Sequence, residues 1–228
     1  MAANFFMKKL TAIVLIFLVF VSSLFSIDVK ITKSGLIYSN HIFYDLGYSY
    51  EHNMALWSKY TLDSEKLENV VSRPKKRFIL DTNLPKRTIT HDDYTKSGYD
   101  RGHLTPVDDL QYSYESASST FVITNVVPME RSFNRGIWQR LENYASYFIE
   151  KYHEAVIVTG PIFEGNFSYM GRDSNIPIPT SFYKLLVSDE CTEVYIVPHK
   201  NSSDDLSTFK SDLETLQKKT SIEFKIIY

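Results

Sequence analysis

Residues 134–152 constrain the fold of this 228-residue chain most. Ile137, Leu141, Tyr144, Ala145 and Phe148 recur there at helical spacing, and that stripe predicts a long amphipathic helix opening at Asn134. Ahead of it, residues 121–127 are apolar and rich in β-branched side chains, and Pro128 is expected to end them. Behind it, Ala155, Val156, Ile157 and Val158 make a second such run, with Gly160-Pro161 as its stop. Buried strands on both sides of a central helix predict an α+β (mixed α/β) fold, a largely antiparallel central sheet flanked by helices.

The remaining pattern is consistent with that layout. Residues 27–50 alternate loosely and predict short strands, and residues 54–60 predict another. Residues 62–88 are polar, with Pro74 and Pro85, and read as a long loop, which in a compact domain is often functional. Residues 182–187 and 194–197 predict a hairpin. Leu206, Phe209, Leu213 and Leu216 fit one helix face, and Ile222, Phe224 and Ile226 fit a closing strand. A chain of this length, 43% hydrophobic, can build one sizeable core, so residues 27–228 are expected to form a single domain.

Residues 1–26 have a different character. Lys8 and Lys9 precede an apolar run from Leu10 to Val21, with Ser22, Ser23 and Ser26 after it. That order predicts a secretory signal peptide cleaved after Ser23 or Ser26, with an uncleaved N-terminal anchor as the alternative, for which a run of twelve is short as a membrane span. The mature chain would then be periplasmic or secreted, with no stable membrane partner. Cys191 is the only cysteine, so no intramolecular disulfide is possible, and its place between Asp189-Glu190 and Glu193 predicts a hairpin turn rather than an activated thiolate.

The formal net charge is −2, which is unlike a protein that coats nucleic acid. The charge is uneven, however. Between Arg73 and Arg101 stand Arg73, Lys75, Lys76, Arg77, Lys86, Arg87, Lys96 and Arg101 against four aspartates. Such a run is either a solvated loop or a local phosphate-facing patch.

The chemistry concentrates just beyond it, in Asp100-Arg101-Gly102-His103. An imidazole titrates near neutral pH and can take a proton from water. Arg101 offers a planar fork that suits phosphate oxygens, and Gly102 permits a close backbone approach. The other histidines read as structural. Asn134 is either a helix N-cap, a role Ser132 could fill equally, or an oxygen ligand for Mg²⁺, which accepts few protein ligands and keeps several waters. Glu142, eight residues on, lies about 12 Å further along a regular helix and about 80° around it. That is far for direct ligation of one ion by both, but within reach of the ion's waters. Otherwise Glu142 is a solvated helix residue paired with Arg140 or Lys151. Asn125 is a polar residue in an apolar run, either capping the strand end or orienting the site from the sheet.

These residues together resemble the DNA/RNA non-specific endonucleases of the ββα-metal (His-Me finger) superfamily, which include secreted bacterial nucleases and mitochondrial endonuclease G. The tetrad with Pro106 matches the family's signature, Thr124-Asn125-Val126-Val127-Pro128 its next strand, and residues 133–142 its metal-binding helix with the Asn-to-Glu spacing intact. Residues 158–161 and 178–184 resemble its downstream strands. The resemblance implies a ββα-metal finger site and Mg²⁺ as cofactor, with Mn²⁺ as a substitute. It makes His103 the general base, Asn134 the direct metal ligand and Glu142 the holder of metal-bound water. Asn125 would support the site, and Arg101 would position phosphate or structure the site. Arg77 would contact the transition state, with Arg73 and Arg87 as alternatives, and Lys76, Arg77, Arg87 and Arg101 would meet the substrate. The implied reaction is hydrolysis of DNA and RNA to 5′-phosphate ends, with binding through phosphate contacts. The chain departs from the better-known secreted members in lacking their cysteine pairs. A non-catalytic nucleic-acid-binding relative, or a phosphodiesterase acting on short nucleotides, would share the same residues.

Overall fold

The computed structural model describes residues 27–86, 88–171 and 175–228. The predicted signal segment and Arg87 therefore lie outside the described residues.

The core is a seven-stranded antiparallel sheet built from β2 (Ile37–Asn40), β3 (Asp45–Ser49), β4 (Met54–Asp63), β7 (Glu154–Ile162), β10 (Ser181–Val187), β11 (Thr192–Pro198) and β12 (Lys210–Ser211). Its spatial order is β12-β11-β10-β7-β4-β3-β2. The middle strands are apolar along nearly their whole length because both faces are covered. The ends of the described chain close on each other, β1 (Asp28–Thr32) pairing with β13 (Glu223–Ile227), and a short ribbon pairs β8 (Tyr169–Met170) with β9 (Ile176–Pro177). The fold is α+β, as the sequence pattern predicts.

The functional elements lie against this sheet. The ribbon of β5 (Asp100–His103) and β6 (Val126–Met129) is antiparallel and sets Gly102 opposite Val127. A short helix α1 (Ser64–Glu68) follows β4, and α2 (Tyr114–Ser119) lies between the ribbon strands in sequence. The helical segment after β6 has three parts: α3 (Arg131–Phe133), a π-helical turn (Asn134–Trp138) and α4 (Gln139–Tyr152). Leu141, Ala145, Phe148 and Ile149 bury one face of α4 in the same apolar core as Val156 and Val158 of β7. Each of the larger ones, Leu141, Phe148 and Ile149, contributes roughly 1.5–3 kcal/mol on burial.

Several expectations need correction. The helix opens at Arg131 with Glu130 as its cap residue, so Asn134 stands inside it and is not an N-cap. The run 121–127 is not one strand, because a 3₁₀ turn (Ile123–Asn125) breaks it and β6 starts only at Val126. Pro128 lies within β6, where a two-stranded ribbon leaves one edge free of ladder partners. Pro161 likewise sits inside β7, two residues beyond Thr159, where pairing with β4 ends and only β10 remains. The predicted helix over 206–216 is two pieces, a 3₁₀ turn (Leu206–Phe209) and α5 (Leu213–Thr220). The Asp212 carboxylate accepts from Thr215 N and starts a new helix there. The predicted loop over 62–88 starts late, because β4 runs to Asp63 and α1 occupies Ser64–Glu68, and within the rest Ile79 is stitched beside Phe121 and Ile123 by backbone hydrogen bonds of 2.9 and 2.8 Å.

Candidate active site

The ribbon and the helix behind it gather the tetrad and Asn134. A Cβ at Gly102 would overlap the Met129 sulfur across the ribbon, so any larger residue there requires the Met129 side chain to move. Asp100 faces the helix. Its Oδ2 accepts from Asn134 Nδ2 at 3.3 Å and from Arg135 Nε at 3.1 Å, and its Oδ1 lies 3.5 Å from Arg131 Nε. With its amide nitrogen held, Asn134 leaves Oδ1 without a hydrogen bond from any described residue.

His103 sits at the other end of β5 in an aromatic setting, with ring centroids 5.2 Å from Phe78 and 5.7 Å from Phe121. Its Nε2 is buried without a partner. Burial first, and the Arg73 guanidinium second, hold its pKa down at about 3. The imidazole is therefore neutral, with a lone pair available to accept a proton.

Asn125 is fully buried and locks the chain that follows His103. Its Oδ1 accepts from Thr105 N at 2.9 Å, and its Nδ2 donates to the Thr105 and Thr120 carbonyls at 3.0 and 3.1 Å. It acts from a 3₁₀ turn, not from the sheet.

Glu142 is not a solvated helix glutamate. Burial raises its pKa, Lys184 opposes the rise, and Asp109 and Asp108 add to it. Lys184 is fully buried on β10, donates to Thr159 Oγ1 at 2.9 Å and lies 5.1 Å over the Trp138 ring. Asp109 accepts from Ser146 Oγ at 3.0 Å and from the Tyr60 hydroxyl. Arg73 Nη1 donates to Asp108 Oδ1 at 3.0 Å. Its charge reaches His103, and that of Asp108 reaches Glu142, so both candidate side chains lie within electrostatic reach of one ion pair.

Arg101 is turned inward. Its Nη2 donates to the His91 carbonyl at 2.8 Å, and the guanidinium lies 5.5 Å over the Tyr94 ring. That geometry suits a structural role better than a phosphate clamp. Arg77 is exposed, beside the Phe78 that packs on His103. Lys76 is also exposed, its Nζ 5.4 Å over Tyr114. The basic run is thus partly engaged in local contacts and does not form one continuous free patch. Sequence reasoning gave no role to Asp100, Asp108, Asp109 or Lys184. A lysine inside the apolar run of β10 was the available signal, since a buried ammonium requires partners.

Among the described residues no three His, Cys, Asp or Glu side chains cluster as a metal cage. The donor set on offer is one free amide oxygen beside a held carboxylate, with a second carboxylate on the same helical segment. That suits a hard cation that keeps most of its waters.

A sheet of this order carrying a β5–β6 ribbon, a bulged helix and a neutral histidine defines a ββα-type nuclease architecture, and comparison with known proteins agrees. Residues 23–226 match the model of the DNA/RNA non-specific endonuclease family, and the chain belongs to that family. It is 30% identical over 207 residues to the "Nuclease" of Syncephalastrum racemosum, covering 79% of this chain and 65% of that one. It is also 30% identical over 164 residues to "Nuclease EXOG, mitochondrial" of Danio rerio, covering 67% and 47%. A chain in the crystal structure of the EndoG/EndoGI complex superposes with a TM-score of 0.76 at 25% identity, covering 82% of this chain and 84% of that one. The chain thus spans between about half and two thirds of the length of these two curated relatives. No helix of the described residues is long and apolar enough to cross a membrane.

Proposed function

We propose that this chain is a Mg²⁺-dependent endonuclease that hydrolyses phosphodiester bonds of both DNA and RNA and leaves 5′-phosphate ends. The observation that carries the reading is the neutral, partnerless His103 Nε2 in the same ribbon whose Asp100 holds Asn134. His103 would take the proton of the attacking water. Asn134 Oδ1 would ligate Mg²⁺ or Mn²⁺, and Glu142 would hold the ion's waters. The ion would supply charge neutralisation at the phosphoryl group and the leaving oxygen. Asp100 orients Asn134, and Asn125 fixes the chain beyond His103. Arg77, which is exposed beside Phe78, would contact the transition state, with Arg73 and Arg87 as the alternatives. Residues 27–228 would act as one catalytic domain, exported once residues 1–26 are removed.

The test is incubation of the mature protein with plasmid DNA and with RNA, in Mg²⁺ or EDTA, beside His103→Ala. Loss of both polymers only with Mg²⁺ and only with the wild type is expected. Undiminished cleavage in EDTA or by the mutant would sink the mechanism. Binding without cleavage would favour a non-catalytic relative.

A further inference from the structure

We infer that Asn201, on the loop after β11, is a positioning residue for the metal-binding helix: its side-chain oxygen holds the kinked π-turn that sets Asn134 relative to the helix carrying Glu142. The inference rests on the proposed metal role of those two residues.

Eight residues along an uninterrupted α-helix separate two side chains by about 80° around the axis. The segment from Asn134 to Glu142 is not uninterrupted: the π-helical turn Asn134–Trp138 contains a residue outside helical geometry and joins two helices across a kink. The kink, and not the helical repeat, therefore sets where Asn134 stands relative to Glu142.

Such a turn leaves backbone groups without their usual helical partners. Here the Ile137 N–H is satisfied from outside, donating to Asn201 Oδ1 at 3.2 Å, across 64 residues of sequence. The fit is close: a Cβ on Gly136 would overlap the Asn201 oxygen, so a larger residue at position 136 requires the Asn201 side chain to shift. Gly136 also departs from helical geometry, at φ −113° and ψ −109°.

The same loop holds the helix on both sides of the turn. Before it, Glu130 N donates to His199 Nε2 at 2.8 Å, while His199 Nδ1 lies 2.8 Å from the Pro179 carbonyl. After it, Arg140 Nη2 donates to the Ser202 and Asp204 carbonyls at 3.0 and 2.8 Å. Asn201 is the member of this set that enters the turn itself.

The test is Mn²⁺ binding, followed by electron paramagnetic resonance on the full chain, with melting temperature measured in parallel. Asn201→Ala removes the acceptor and should weaken Mn²⁺ binding by about tenfold or more, the scale seen when a group that orients a metal ligand is lost. Asn201→Asp keeps an acceptor oxygen and should stay within about threefold of wild type. If Asn201→Ala does not fold, Asn201→Ser, whose hydroxyl is one atom shorter, takes its place with the same expectation. Equal Mn²⁺ affinity in the Ala and Asp variants, or a lowered melting temperature with unchanged affinity, overturns the inference. A wild-type chain that takes up no Mn²⁺ overturns the nuclease reading itself, and the inference with it.

Discussion

Asp100 and Asn134 are joined by a 3.3 Å hydrogen bond from the amide nitrogen to the carboxylate, which fixes which end of the asparagine remains free. The carboxylate is mostly buried and is also approached by Arg131 and Arg135, so it is anchored from three sides. Asp100→Ala should release the Asn134 amide to rotate. Groups that orient a metal ligand typically contribute 10- to 100-fold in metal affinity or activity. The Mg²⁺ concentration for half-maximal cleavage should rise by about that factor, and an unchanged midpoint would exclude the orienting role.

His103 makes stability depend on pH with a definite sign. Its folded pKa of about 3 lies below the ordinary 6.5, so the unfolded chain binds more protons between those values. This contribution is fully present above pH 6.5 and is lost as the pH falls toward 3. The slope can approach about 1.4 kcal/mol per pH unit within that window. Urea denaturation at pH 6.5, 5.5 and 4.5 should show the decline in the wild type and a shallower one in His103→Gln. Parallel slopes would mean that the imidazole is already charged in the folded state.

Arg73 and Arg77 can be told apart by the same imidazole. Arg73 contributes to the lowered pKa of His103 although it is also paired with Asp108. Arg73→Ala should therefore raise the His103 pKa, read from the imidazole proton resonances, and Arg77→Ala should leave it in place. Both partners of the Arg73–Asp108 pair are largely exposed, so its loss should change stability by no more than about 1 kcal/mol. An equal pKa change in both variants would remove the distinction.

The sequence made the periodic parts of this molecule legible. The apolar stripe of α4, the runs of β7 and β10, and the tetrad could all be found because each depends on neighbours a few residues away. What escaped depends on partners distant in sequence. Asn134 reads as a helix start because nothing local reveals that Arg131 has already begun the helix. The π-turn depends on an acceptor supplied by Asn201, and Gly136 looks merely helix-weakening until that side chain is in place. Glu142 reads as solvated because Lys184 and Asp109, which surround it electrostatically, come from elsewhere in the chain. The prolines at 128 and 161 read as strand stops, since one strand alone does not reveal which of its edges lacks a partner.

Lys184 offers the sharpest test of how the buried charges beneath the site are balanced. Its ammonium is fully enclosed, with Thr159 Oγ1 as a hydrogen-bond partner and the Trp138 face beneath it. Burial lowers its pKa, while Glu142 and Asp109 raise it and favour the charged form. Lys184→Met preserves much of the shape but leaves the buried Asp109 and the half-buried Glu142 without their cation. Breaking a buried charge arrangement from one side typically costs about 3–5 kcal/mol. Asp109→Asn in the Lys184→Met background removes one of the carboxyls left behind and should recover part of that loss. Denaturant titration of the two single variants and the double variant measures the coupling directly. Strictly additive losses would mean that Lys184 stabilises the core by packing alone, and that the carboxyls beneath the site are accommodated in their protonated form.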